Sequence, residues 1–353
     1  MKRNIHATLV LALAVCGLLL RAAGADLIIT SFSGNGSLTW SNAVPGRAYS
    51  IEWSPSLSEG PWHSDWEGLS ALSATGATMT VRVPMFYRVR ELPDMAAVPG
   101  GPFAMGYDVV GVRTVTVSTF VIDLNMVTKA KWDEVRQWAA TNGYTDLVAG
   151  QAGSGGAAPS NHPVTTVSWF QSLKWCNARS EMEGRTPCYY TSGSLQPDAI
   201  YRTGTVTPSN TWVGWSSGGY RLPTDAEWEK AARGGLVSKL YPWGDAAPDA
   251  TQANFNNNVG TSTPVGSYPA NGYGLYDMVG NVVDLCWDLY SYEPPAEGSV
   301  DPRGAVTNAF STRIGHGGNW SASSSLLKCA ERSYYIAPDS TGSYFGFRCV
   351  RSP

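Results

Sequence analysis

Apolar and polar positions change their rhythm along the chain. Between residues 26 and 93 they come in short runs bounded by Gly, Pro and Ser turns: Leu27–Thr30, Ser37–Trp40, Ala48–Trp53, Thr78–Val83 and Phe86–Arg90. Such runs predict a small β module of the sandwich type. Trp40, Trp53, Trp62 and Trp66 are assigned to its core, with an aromatic sugar-binding face as the second reading. From residue 94 to 353 only three segments carry helical spacing. Thr128 caps a helix through Trp132, Val135 and Trp138 towards Gly143, and Ser168 caps one carrying Trp169, Leu173 and Cys176 towards Gly184. Thr224 with Glu227 forms a capping box before Trp228, and that helix stops at Gly234-Gly235. The rest reads as irregular chain, including a Gly/Ala/Ser loop from Gly150 to Gly156, and no βαβ rhythm, GxGxxG or P-loop occurs.

The first 25 residues follow another pattern. Lys2 and Arg3 precede an apolar run from Ala7 to Leu20, and Ala23-Gly24-Ala25 supplies small residues for cleavage. This is the layout of a secretory signal peptide, and the run is short for a membrane span. It predicts a secreted, periplasmic or cell-surface protein with no membrane span once the signal is removed. Cys16 stands in the run without a lipoprotein box.

Composition narrows the class. Charged residues make up 15% of the chain, against about 25% in an average soluble domain, while Gly (38), Trp (14) and Tyr (17) are plentiful. A turn-rich globular protein fits this mix; a coiled coil or a disordered chain does not. The formal charge of −3 excludes a broad basic nucleic-acid surface. Without residues 1–25, five cysteines remain (Cys176, Cys188, Cys286, Cys329 and Cys349), an odd number that leaves at least one thiol unpaired within a monomer. There is no CxxC and no HExxH; His63, His162 and His316 are isolated, which gives little support to a hydrolytic triad.

Eight segments then occur in a telling order. They are Gly100-Gly101-Pro102-Phe103-Ala104-Met105-Gly106, Pro163-Val164-Thr165-Thr166-Val167-Ser168-Trp169, Gly219-Tyr220-Arg221-Leu222-Pro223-Thr224-Asp225-Ala226-Glu227-Trp228-Glu229 and Tyr241-Pro242-Trp243-Gly244-Asp245. Asn271-Gly272-Tyr273-Gly274-Leu275-Tyr276-Asp277-Met278, Gly280-Asn281, Gly317-Gly318-Asn319-Trp320 and Gly346-Phe347-Arg348-Cys349 complete the series. Together they resemble the formylglycine-generating enzyme, or sulfatase-modifying factor, family from about Met95 to the end. The resemblance implies an α+β, irregular, loop-rich, C-type-lectin-like fold behind the small all-β domain. It also implies bound calcium and, in true members, oxidation of the cysteine of a sulfatase Cys-x-Pro-x-Arg segment on a Cu(I) held by two cysteines.

Taken residue by residue, the resemblance is uneven. The copper cysteines fall on Ser324 and near Ser321, and Asn319 to Lys328 contains no cysteine. A serine hydroxyl is a hard, protonated group and a poor ligand for Cu(I). Cys329 falls on a structural cysteine whose partner position holds Ala232; it becomes a copper ligand only if recruited, and its plain reading is a small buried apolar residue. The oxygen-pocket tryptophan falls on Val283, and the serine of the family's Gly-Gly-Ser on Asn319. Calcium is better served: Asp277, Gly280, Val282 and Asp284 match one family site, with two side chains and two carbonyls as hard oxygen donors. A weaker site falls on Asn254, Phe255, Asn257 and Val259. Capped turns and a solvated Asn-rich loop are the plain readings of the same residues. Cys176 and Cys349 match positions paired as a disulfide in the enzymes. Arg221, Glu227, Glu229, Arg233 and Arg348 read as internal ion pairs, and Trp169, Trp228, Trp243 and Trp320 as core anchors.

Two functions follow. The first is a calcium-binding recognition module for a protein, peptide or glycan, with Trp320–Tyr344 as its surface. That segment also resembles the variable tail of retroelement-diversified proteins, and an ordinary surface loop is its plain reading. The alternative is a copper-dependent oxidase acting on a sulfatase Cys-x-Pro-x-Arg peptide, with thiols drawn from Cys188, Cys286 and Cys329.

Overall fold

A computed structural model describes the backbone of residues 28–32, 38–41, 47–54 and 86–91, and residues 92–107, 111–154, 158–305, 311–332 and 334–353 with their side chains. The leader at residues 1–25, the strand expected over Thr78–Val83, Trp62 and Trp66 lie outside those descriptions, and Trp40 and Trp53 are described by their backbone alone, on strands at residues 38–41 and 47–54. The chain divides into two compact units, residues 1–91 and 92–353. In the first, β1 (Ile28–Phe32) and β2 (Leu38–Ser41) form an antiparallel pair, followed by β3 (Arg47–Ser54). The long β4 (Phe86–Val98) leads into the second unit.

In the second unit, Met95–Val98 of β4 pair antiparallel with β7 (Phe120–Asp123), and β7 pairs with β14 (Val350–Arg351). A hairpin of β5 (Gly101–Met105) and β6 (Arg113–Val117) lies between β4 and β7 in the chain, and β8 (Gln151–Ala152) pairs with β9 (Val164–Thr165). The Gly/Ala/Ser segment expected to be a plain loop therefore begins as a strand. A four-stranded sheet runs in the order β12 (Tyr334–Ile336), β11 (Arg313–His316), β10 (Val283–Leu289), β13 (Phe345–Gly346). Its inner strand β10 is buried from Val283 to Asp288, including Asp284 and Asp288.

The three helices begin at their expected caps. Thr128 Oγ1 accepts the Lys131 N–H before α1 (Lys129–Ala140), and Ser168 Oγ accepts that of Gln171 before α2 (Trp169–Met182). Thr224 and Glu227 cap α3 (Asp225–Arg233) reciprocally, and Gly234 closes it at φ +57°, a left-handed conformation that glycine adopts without strain. α1 stops at Ala140, before the glycine expected to end it. Helices α1 and α2 meet through Trp132 and Trp175, stacked with ring centroids 5.7 Å apart, while Phe347 sets its edge against both. This is an α+β, loop-rich architecture with a core of aromatic side chains.

Loops inside such a core need partners for their backbone groups. Asn177, fully buried on α2, supplies four: its Oδ1 accepts the N–H groups of Cys188 and Tyr189, and its Nδ2 donates to the carbonyls of Tyr189 and Tyr201. One side chain thereby fixes a loop that has almost no secondary structure of its own.

Candidate functional site

Three loops are knitted together where the sequence places its metal-site candidates. Asn281 N–H donates to Asn254 O at 2.8 Å, Trp320 N–H to Asn281 O at 2.9 Å, and Asn257 N–H to Trp320 O at 2.9 Å. Gly280 is essential to this approach. Its φ is +79°, and a Cβ there would lie 2.4 Å from Asn254 O. Asp277 and Asn281 also adopt positive φ, which their short polar side chains tolerate.

Asp277 and Asp284 are both buried. Asp277 Oδ2 accepts the Gly266 N–H at 2.7 Å, and Asp284 Oδ2 accepts Trp228 Nε1 at 2.9 Å and Arg348 Nε at 2.8 Å. The Oδ1 atom of each carboxylate is buried and accepts nothing. Burial pushes the Asp277 carboxyl up to about 6; the Gly266 N–H and Arg348 oppose the rise, and Asp284 adds to it. Two carboxylates thus face one guanidinium and keep two unused hard oxygens, a donor set that fits calcium. With the carbonyls of Gly280 and Val282 these residues would hold the ion. Among the described residues no group of three or more His, Cys, Asp or Glu side chains is arranged to hold a metal.

The weaker candidate is split. Asn254 is fully buried, its Nδ2 donates to Thr261 O at 2.8 Å, and its Oδ1 is unpartnered. Phe255 O accepts the Asn258 N–H, while Asn257 and Val259 are exposed. Asn254 supplies the buried unsatisfied side-chain oxygen that a cation would use.

The residues at the copper positions do not fit copper. Ser321 donates its N–H and Oγ to Asn319 Oδ1 at 2.9 and 2.8 Å, and Ser324 opens a short 3-10 turn. Cys329 is fully buried in the same apolar cluster as Ala232, and burial pushes its thiol up to about 12. Burial likewise raises Cys188 to about 11 and holds Cys286 well above the usual thiol range. Cu(I) binds thiolates, and all three groups resist forming one. Val283 lies buried on β10, paired with Phe345. Cys176 and Cys349, both buried, hold their sulfurs 3.6 Å apart as free thiols.

The expected ion pairs form: Arg221 grips Glu227 at 2.6 Å, Arg233 grips Glu229 at 2.6 Å and Arg348 meets Asp284. Trp169 and Trp228 are fully buried, whereas Trp243 and Trp320 are half-buried and contribute to the surface.

Sequence reasoning missed two polar clusters. His316, fully buried and stacked on Trp228 at 4.4 Å, donates Nδ1–H to Glu331 O and sets Nε2 2.7 Å from Asp225 Oδ1. Burial pushes the Asp225 carboxyl up, yet Arg332 and His316 hold it below the usual carboxylate range. His162 Nδ1 lies 3.1 Å from Ser262 Oγ, outwardly a base beside a nucleophile. Gly153 seals that pair, since a Cβ there would fall 2.0 Å from Ser262 Oγ. No substrate reaches a hydroxyl packed in this way. The only sequence signal for either cluster was the rarity of histidine.

Comparisons with known proteins bear on the same unit. Residues 82–353 match the family model described as sulfatase-modifying factor enzyme 1-like domain. The chain is 32% identical over 325 aligned residues to the formylglycine-generating enzyme of Thermomonospora curvata, covering 73% of this chain and 93% of that one. A 148-residue stretch is 43% identical to the serine/threonine-protein kinase pkn1 of Chlamydia caviae; it covers 40% of this chain and 23% of the kinase, so the similarity spans about a quarter of that relative. The solved structure of Treponema denticola variable protein 1 superposes with a TM-score of 0.59 at 27% identity, over 73% of this chain and 95% of that one.

Proposed function

Because the chain belongs to the sulfatase-modifying factor enzyme 1-like family, we propose that it acts as an exported, calcium-supported recognition module and not as a copper oxidase. The observation that carries this reading is the pair Ser321 and Ser324, two hydroxyl side chains, the first bound to Asn319 Oδ1, where an oxidase needs two thiolates. Proteins named as a formylglycine-generating enzyme, a kinase and a variable protein share similarity with this chain. A scaffold spread over such different names does not dictate one reaction.

The recognition surface is the segment from Trp320 to Tyr344. Trp320 and Tyr344 lie with ring centroids 5.6 Å apart, and Tyr335 is 65% exposed. Tyrosines among Ser, Thr, Asp and Gly make adaptable contact surfaces for a protein, peptide or glycan. Calcium at Asp277, Gly280, Val282 and Asp284 would fix the loop beneath this surface, because the Asn281 carbonyl holds the Trp320 N–H. Export rests on the leader at residues 1–25.

The deciding experiment incubates purified protein with Cu(I), oxygen, reductant and a Cys-x-Pro-x-Arg peptide, and reads the peptide by mass spectrometry. An unchanged peptide is expected. Conversion of its cysteine to the aldehyde would overturn the recognition reading, and loss of that conversion in Cys329→Ser would identify a recruited ligand.

A further inference from the structure

A cavity of about 210 Å³ opens beside the start of α3, room for roughly seven waters' share of liquid volume. The buried Arg221–Glu227 pair, Trp215, Asp301 and Arg303 line it. The acceptors here are already used. Glu227 takes both Arg221 Nη atoms at 2.6 Å and the Thr224 N–H at 2.8 Å. Asp301 takes the Ser118 N–H at 2.6 Å and Ser118 Oγ at 2.7 Å.

The Arg303 guanidinium is the exception among the donors. The Arg303 guanidinium lies 4.3 Å from the Trp215 ring centroid, and among the described residues it has no hydrogen bond or ion pair. Arg221 lies 5.2 Å from the same ring. Partial burial and the charge of Arg221 hold the Arg303 guanidinium below its ordinary value, with Asp301 and Glu227 opposing the fall. Stacking on Trp215 also fixes the planar fork, which lowers the ordering cost of a bidentate contact.

From this imbalance we infer that the cavity binds a small carboxylate, with Arg303 as its bidentate partner and Trp215 as the plate that holds Arg303 in place. A guanidinium fork matches a planar carboxylate better than a spherical anion. The site is separate from the calcium candidates and from the Trp320–Tyr344 surface, and it stands whether or not that surface has a ligand.

Isothermal titration calorimetry of the full chain with succinate, at physiological ionic strength, tests this directly. Arg303 is exposed and its guanidinium forms no hydrogen bond or ion pair among the described residues, so Arg303→Ala and Arg303→Lys should both fold, which circular dichroism checks. Saturable binding is expected, weakened about tenfold or more in both variants, because an ammonium cannot reproduce the fork. No saturable binding to the folded wild type, or equal affinity in Arg303→Ala, would refute the site. Equal affinity for sulfate and succinate, with full retention in Arg303→Lys, would reduce it to a simple anion sink and overturn the carboxylate assignment.

Discussion

His162 is packed against Ser262, and burial pushes its pKa below the ordinary 6.5. The folded chain therefore keeps this ring neutral where the unfolded chain would protonate it. A histidine whose folded value is lowered costs stability as pH falls through the unfolded value, because the unfolded state takes up the proton first. The melting temperature should accordingly drop between pH 7.5 and 5.5, and His162→Gln should flatten that slope; parallel profiles would assign the drop to other groups. Cys329 permits a second check at this scale. With its thiol fully buried and raised to about 12, it should resist iodoacetamide in the native protein and react only after denaturation. Rapid native alkylation would mean that the cluster around Ala232 opens.

Helix α3 is the element on which most of the polar network depends. Its capping box is local, and removing it by Thr224→Ala should cost about 1 kcal/mol, read as a shift of the urea midpoint. Glu229 is a different case. It accepts Arg233 and also the Gly106 N–H at 2.8 Å, joining α3 to the turn after β5. Both members of this pair are buried, so Glu229→Gln leaves Arg233 without its counter-charge. A loss of roughly 3–5 kcal/mol is expected, well above the cap variant. Equal losses in the two variants would show that the α3 ion pair is relaxed by water.

Over the whole molecule, stability rests on ties between distant parts of the chain. Cys176 and Cys349 hold their sulfurs 3.6 Å apart, and a bond between them, closing so long a loop, would contribute on the order of 2–5 kcal/mol in the chain-entropy account. Protein from an oxidising compartment should be lighter by two hydrogens and should melt lower after reduction; Cys176→Ser should remove both differences. Calcium acts at the same scale. Filling the unpaired oxygens of Asp277 and Asp284 should raise the melting temperature in calcium over chelator, and Asp277→Asn should abolish most of the rise. A wild type indifferent to calcium would leave those oxygens as an unexplained buried pair.

Helix starts were legible in the sequence, because a cap is a contact between residues three apart. Thr128, Ser168 and Thr224 carried that information by themselves. The order of the Gly- and Trp-rich segments likewise sufficed for the α+β, loop-rich class. Nothing local announced that Asn177 would satisfy a distant loop, that His162 would meet Ser262, or that Arg348 would reach Asp284. The cavity gathers Trp215 and Arg221 beside the Asp301–Arg303 segment and leaves the Arg303 guanidinium without an ion pair among the described residues. Such juxtapositions arise when a folded core brings together residues scores of positions apart and every buried polar atom must find a partner. Short-range spacing holds no record of them, so only the tertiary structure could decide them.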